Sequence, residues 1–291
     1  MTAVKSHRRR LSMDKLELKK ISNKVRQGII ESTNLAKSGH PGGALSATEC
    51  IVYLYFEEMN IDPANPLWED RDRFVLSKGH SVPCQYATMA YRGFFPVEEL
   101  KTLRQVGSRL QGHPCMQYLP GIDMSTGSLG QGFSAACGMA MSAKIRGKDY
   151  RVYSVLGDGE IEEGIVWEAA MFAGNRRLDN LVAVIDSNRL QLDGFCKDIN
   201  PPYPIGKKFE AFNFEVIEVE DGHDFDQLAE AFKKARKVKG KPVCIIINTI
   251  KGKGVSFMEN SPDWHGKSTN PEEYKQAMEE LTKAGEELCR M

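Results

Sequence analysis

Five short runs of β-branched and aliphatic residues, at 74–76, 152–156, 181–185, 214–219 and 243–250, are separated by longer stretches of helical composition, among them 131–144, 161–173 and 225–238. Strands joined through helices return to the same edge of a sheet and run parallel, so this alternation commits the chain to βαβ units. The expected fold class is α/β: a doubly wound, mainly parallel sheet with helices on both faces. Leu18, Ile21, Val25 and Ile29 repeat at helical spacing ahead of Gly39, which predicts an amphipathic helix over 13–37. Ser46 and Glu49 have capping-box spacing before an apolar run, so a second helix is expected to begin after the glycine loop at 38–43.

With 291 residues the chain is near the upper limit for one core. Neither an internal repeat nor a low-complexity linker divides it. One domain over 13–268 is expected, with a solvated tail over 1–12 that carries His7-Arg8-Arg9-Arg10 and a peripheral helix over 269–291. The 39 basic and 39 acidic residues cancel, so no global field draws the chain to nucleic acid or anionic lipid, and a small-molecule partner is expected. No apolar run reaches the length of a membrane span, and no secretory signal is visible. Seven cysteines without C-x-x-C spacing argue against a disulfide framework or a cysteine-rich zinc site and fit a reducing cytoplasm.

The run 152–156 leads straight into Gly157-Asp158-Gly159, and 181–185 leads into Asp186-Ser187-Asn188. Both polar clusters therefore fall at carboxyl ends of parallel strands, the edge at which doubly wound sheets bind ligands. Two glycines permit close backbone approach, Asp158 supplies a hard anionic oxygen and Asn188 a neutral one, a set suited to Mg²⁺ shared with phosphate oxygens. Glu160, Glu162 and Glu163 follow at the expected start of the next helix and would repel a bare diphosphate, a conflict that a bridging cation removes. Glu162 occupies the third glycine position of a dinucleotide fingerprint, and Ser261 the first glycine position of a P-loop, so both of those readings fail. The apolar positions Ile161, Ile165, Ala169 and Phe172 are expected in the core.

Several separated segments together resemble the amino-terminal, diphosphate-binding module of transketolases over roughly residues 15–268. Ser38-Gly39-His40-Pro41-Gly42, Leu76-Ser77-Lys78-Gly79-His80, Gln111-Gly112-His113-Pro114 and Trp264-His265-Gly266 are similar to the family's histidine segments. Ser125-Thr126-Gly127-Ser128-Leu129-Gly130 is similar to its glycine turn beside the cofactor's aminopyrimidine, and Gly157-Asp158-Gly159 through Asn188 to its thiamine-diphosphate metal motif. The resemblance implies thiamine diphosphate and Mg²⁺ as cofactors. Asp158, Asn188 and the carbonyl of Leu190 would hold the metal. Gly157, Gly159, Glu160, Lys251, His80 and His265 would lie around the diphosphate, and Gly127, Ser128 and Leu129 near the pyrimidine and the bend of the cofactor. His40, His80, His113 and His265 would serve catalysis along the substrate channel, where groups titrating near neutrality exchange protons with hydroxyl and carbonyl oxygens. His7 and His223 fall outside these motifs.

Glu163 and Glu168 resemble family acids that meet their symmetry mates across a dimer interface. The sequence ends where a full-length transketolase continues into its pyrimidine-binding module, which supplies the acid at the aminopyrimidine ring. The resemblance therefore implies one subunit of a split transketolase that moves a two-carbon ketol unit from a ketose to an aldose, as sugars or sugar phosphates. It would be inactive without a pyrimidine-module partner and would form an α2β2 assembly with it. A deoxyxylulose-phosphate synthase, a keto-acid decarboxylating subunit or a non-catalytic scaffold are the alternatives. The Gly112-His113-Pro114 segment argues against the first two, and the Asp158 and Asn188 pair against the third.

Overall fold

All five expected strands form and pair in parallel. In the computed structural model, which describes residues 13–291, β1 (Arg73–Leu76), β2 (Val152–Gly157), β3 (Leu181–Ser187), β4 (Glu215–Val219) and β5 (Val243–Asn248) stand in the order β1-β2-β3-β5-β4. The expected basic tail lies outside the described residues. Pairing of Gly157 with Asp186 and of Ser187 with Asn248 brings the carboxyl ends of β2, β3 and β5 level. Every loop leaving those ends therefore opens onto one edge.

Period-two alternation explains why the sheet needs cover on both faces. Phe74, Tyr153, Val155, Val182, Val184 and Ile245 enter one core. The helices α1 (Lys15–Leu35), α2 (Pro41–Ser46), α3 (Thr48–Tyr53) with its π-turn Leu54–Glu58, and α4 (Val82–Arg92) lie on that side. Val75, Val152, Leu156, Ala183, Ile185 and Ile246 enter the opposite core, under α5 (Gln131–Ile145), α6 (Gly164–Asn175) and, beyond the short α7 (Cys196–Ile199), α8 (Ile205–Ala211). The first core is closed by α9 (Phe225–Ala235). The last helix, α10 (Pro271–Arg290), starts on an Asn270–Glu273 capping box and packs along α1, where Leu281 is buried and its carbonyl accepts from Asn23 Nδ2 at 2.9 Å. No helix among the described residues is long and apolar enough to cross a membrane.

Three local expectations are corrected. The second helix begins at Pro41, immediately after His40, with proline in its first turn. Ser46 and Glu49 cap nothing: both side chains are buried, Ser46 Oγ donates to Asp186 and Glu49 accepts from Arg26 and His223. The helix expected from 161 begins only at Gly164, because Glu160–Glu162 form a 3₁₀ turn and Glu163 is extended. That interruption shifts the buried stripe to Val166, Ala169, Ala170 and Ala173. Ile161 and Ala169 are therefore core, Ile165 is half-buried, and Phe172 is 39% exposed.

Candidate active site at the carboxyl edge of the sheet

Four of the strands deliver polar loops to this edge, and the α1–α2 connection and the 103–130 segment close over it. After β1, the chain passes Ser77 and the fully buried Lys78 into a 3₁₀ turn, Gly79–Ser81, that carries His80. Gly79 is required there, since a Cβ would stand 2.6 Å from Thr126 Oγ1 and 2.9 Å from the amide of Gly127. The 125–130 turn is thereby laid against the end of β1, and Thr126 Oγ1 donates to the Leu76 carbonyl at 2.7 Å. Gly127 in turn faces the His113 ring, with space for a Cβ only 3.2 Å from Cδ2.

Glu160 fastens these loops from beneath. Its buried carboxylate accepts from Ser77 Oγ, from the amide of Gly130 at 2.8 Å and from that of Gly157 at 3.0 Å. Burial pushes its carboxyl up, and those three donors oppose the rise. The expectation of a helix-opening acid does not describe this residue, whereas Glu163, at the cap of α6, and Glu168, within it, are exposed.

The four motif histidines converge. Ring centroids of His40 lie 5.3 Å from His80, 6.3 Å from His113 and 5.7 Å from His265, and His80 stacks on His265 at 5.1 Å. All four are half-buried. Burial lowers their proton affinities, His40 to about 4 and His265 to about 3, assisted at His40 by Arg104, His113 and Lys251 and at His265 by Lys251 and His40. His80 is held well below the ordinary value by burial and Lys78, and His113 is lowered by burial and Arg104. At neutral pH the cluster is therefore a set of uncharged imidazoles that can each donate and accept. The His40 Nδ1 atom is buried with no hydrogen-bond partner among the described residues. A polar atom in that condition calls for a ligand or solvent partner.

Beside the histidines, Asp158 follows β2 and is buried. Its carboxylate accepts from the amides of Arg189 and Gly159, with Tyr203 Oη at 3.4 Å, and forms no ion pair with a side chain among the described residues. Burial and the nearby Asp186 carboxylate push its carboxyl up to about 6. Asn188 Oδ1 accepts from the Leu190 amide at 3.1 Å, while its Nδ2 donates to Ser46 Oγ and Asp186, which fixes the amide with its oxygen toward the 188–190 turn. A buried carboxylate without a cationic partner, an oriented amide oxygen and the Leu190 carbonyl form an all-oxygen donor set with a charge deficit. That chemistry fits Mg²⁺ with its remaining positions given to phosphate oxygens.

Lys251, after β5, is buried and donates to the carbonyls of Leu190 at 3.1 Å and Gln191 at 3.2 Å, with His265 Nδ1 at 2.9 Å. An ammonium has only donors, so His265 Nδ1 accepts and its proton resides on Nε2. Burial and Lys78 lower Lys251 to about 8, which leaves it cationic at pH 7. Behind this layer Asp186, fully buried, pairs with Lys78 and accepts from Ser46 and Thr249. Burial alone would raise the Asp186 carboxyl, but Lys78 and these hydroxyls hold it below its ordinary value. Leu129 is half-buried and Ser128 exposed in the turn that ends at Gly130, on the open side of the crevice. Lys78 and Asp186 both lie inside motif strings, yet nothing in a linear string marks them as a buried pair 108 positions apart.

Comparisons with known proteins identify the family. Residues 18–287 match the family model described as transketolase, thiamine diphosphate binding domain. The chain belongs to the transketolase family. A 6-deoxy-6-sulfo-D-fructose transketolase subunit from Clostridium sp. (strain MSTE9) is 46% identical over 275 residues, 94% of this chain and 100% of that one. One subunit of an apulose-4-phosphate transketolase from Phocaeicola vulgatus is 40% identical, covering 96% and 98% respectively. Rat transketolase is 44% identical over 91% of this chain, but only 42% of the rat protein is spanned. The crystal structure of Campylobacter jejuni transketolase superposes with a TM-score of 0.86 at 34% identity, covering 93% of this chain and 43% of that one. The matched part of this transketolase-family chain contains all five strands and all four clustered histidines.

Proposed function

We propose that this chain is the cofactor-diphosphate and Mg²⁺ holding subunit of a two-subunit transketolase. With a separate pyrimidine-module subunit it transfers a two-carbon ketol unit from a ketose or ketose phosphate to an aldose or aldose phosphate. The observation that carries the reading is the convergence, at one sheet edge, of the Asp158–Asn188–Leu190 oxygen set with four clustered histidines and buried Lys251. When bound, thiamine diphosphate supplies the carbon-carbon bond chemistry, and the protein contributes orientation and electrostatics.

Asp158, Asn188 and the Leu190 carbonyl hold the metal. Gly157 and Gly159 approach the diphosphate with their backbone, and Lys251, His80 and His265 neutralise or hydrogen-bond it. Glu160 serves from below by joining the Ser77, Gly130 and Gly157 loops. Gly127, Ser128 and Leu129 receive the pyrimidine side. His40 and His113, with His80 and His265, hydrogen-bond the sugar's hydroxyl and carbonyl oxygens and move protons between them.

The α5–α6 layer supports an obligate partner. Ile145 is 72%, Met171 51% and Phe172 39% exposed, and the exposed Gly138 and Gly164 have open space where a Cβ would be. An apolar face with small residues suits close helix approach from another protein chain. Glu163 precedes α6 as its cap and Glu168 lies within it, both exposed, in keeping with an interface that meets its own symmetry mate inside an α2β2 assembly. The purified chain, given thiamine diphosphate, Mg²⁺, a ketose phosphate and an aldose phosphate, is expected to show no ketol transfer until the pyrimidine-module subunit is added. Transfer by the chain alone would refute the split arrangement.

A further inference from the structure

His223 belongs to no motif of the cofactor site, yet it is tied to it. Glu49 on α3 is buried and accepts from Arg26 Nη2 at 2.7 Å and from His223 Nδ1 at 2.8 Å. The other ring nitrogen, Nε2, accepts the backbone amide of Ile250 at 3.0 Å. An amide can only donate, so Nε2 is unprotonated and Nδ1 carries the hydrogen that Glu49 receives. From the other side of Glu49, Arg26 Nε donates to the Lys253 carbonyl at 2.9 Å. One buried carboxylate thus holds, through two side chains, both flanks of the segment 250–253. Between those flanks the Gly252 amide donates to the Gly42 carbonyl at 3.0 Å, and Lys251 extends to Leu190, Gln191 and His265.

We propose that Glu49 and His223 are positioning residues for Lys251: they clamp the backbone on its amino side, with Arg26 on its carboxyl side, so that its ammonium is delivered to the diphosphate end of the site. The inference rests on the cofactor placement proposed above. The clamp works through bond direction. His223 must present a donor to Glu49 and an acceptor to Ile250 at once, a pairing that a neutral imidazole supplies and that no aliphatic residue of similar volume can. Outer residues that orient a liganding group in this way commonly change affinity by about ten- to a hundredfold when replaced.

The test uses the full-length chain with four changes: His223→Asn, His223→Gln, Lys251→Met, and His223→Asn combined with Lys251→Met. Asparagine retains a donor at the Nδ1 position but reaches no acceptor to Ile250, whereas glutamine places its carbonyl oxygen where Nε2 stands. Amide hydrogen exchange in the ligand-free chain should show protection at 250–253 lost in His223→Asn and kept in His223→Gln. Calorimetric titration with thiamine diphosphate in Mg²⁺ should show affinity about tenfold weaker in His223→Asn, less weakened in His223→Gln, which keeps the acceptor for Ile250 but gives up the donor to Glu49, and no weaker in the double variant than in Lys251→Met alone. Unchanged exchange at Ile250 in His223→Asn would overturn the clamp. So would a loss of affinity that adds in full to that of Lys251→Met, since a purely structural role predicts additivity. If the parent and Lys251→Met bind the cofactor equally, the placement of Lys251 at the diphosphate is wrong, and the exchange experiment still decides whether the segment is clamped.

Discussion

Replacing Asp158 by asparagine should stabilise the ligand-free protein while removing its response to cofactor. Burial and the Asp186 charge raise the Asp158 carboxyl from its ordinary 3.8 to about 6. That is roughly a hundredfold in proton affinity, or about 3 kcal/mol of destabilisation of the native state whenever the group is ionised. The sign follows from linkage. In the unfolded chain the carboxyl releases its proton near its ordinary value, in the native chain only near 6, so the penalty is full above pH 6 and relieved as pH falls toward 4. Asparagine is nearly isosteric and uncharged. It weakens the two hydrogen bonds from the Arg189 and Gly159 amides, a loss of about 1 kcal/mol.

The net gain is therefore about 1–2 kcal/mol at pH 8. With an unfolding entropy of about 2 cal/mol/K per residue, a chain of 291 residues shifts its Tm by about 2–3 °C for that change. Differential scanning calorimetry at pH 8 and pH 4.5 is the assay, first without ligand and then with thiamine diphosphate and Mg²⁺. The expected result is a higher Tm for Asp158→Asn at pH 8 and no advantage at pH 4.5. Cofactor at about a hundred times its Kd should add about 3 kcal/mol to the parent and nothing to the variant. A variant that is destabilised equally at both pH values, or that keeps the full cofactor-induced shift, would refute the view of Asp158 as a strained carboxylate waiting for a cation.

His40→Ala or His113→Ala in the assembled enzyme should lower kcat or raise the donor's KM with cofactor affinity nearly unchanged, as steady-state kinetics and calorimetry together would show. Lys78→Met should cost about 3–5 kcal/mol in urea unfolding, because it leaves the fully buried Asp186 without its ammonium partner. The lowered His265 affinity has the opposite pH sense to Asp158. The unfolded chain takes up that proton near 6.5 and the native chain only near 3, so stability is lost as pH falls below about 6.5. His265→Asn should show a smaller drop in urea midpoint between pH 7 and pH 5 than the parent.

The inner strands were legible because β2, β3 and β5 are almost continuously apolar, as strands covered on both faces of a parallel sheet are, whereas β4, with Glu215 and Glu218, showed only as a short aliphatic run. The position of the candidate site was legible for the same reason, since Gly157-Asp158-Gly159 and Asp186-Ser187-Asn188 directly follow two such runs. Helix α4 was not: Val82 through Ala90 are all buried, so there is no polar face to give a stripe its phase. The capping-box spacing of Ser46 and Glu49 misled because a cap is a local device, whereas their actual partners, Asp186 and His223, are 140 and 174 positions away.

The reason lies in how this site is built. Local rules assign a polar residue to the nearest backbone amide, and they hold wherever the side chain is near solvent. Under the carboxyl edge of the sheet the polar groups are instead satisfied by each other across distant elements, in the order Glu49 to His223 to Ile250, and Lys78 to Asp186 to Asn188. Such chains hold the loops that follow β3 and β5 in place within the ligand-free fold, so a ligand bound there would drive little reorganisation. Of Glu49, Asp158, Glu160 and Asp186, Asp158 alone lacks, among the described residues, a hydrogen bond or ion pair to a cationic or hydroxyl side chain shorter than the 3.4 Å contact of Tyr203. No cationic side chain among the described residues pairs with it directly, and that is the condition the proposed Mg²⁺ would relieve.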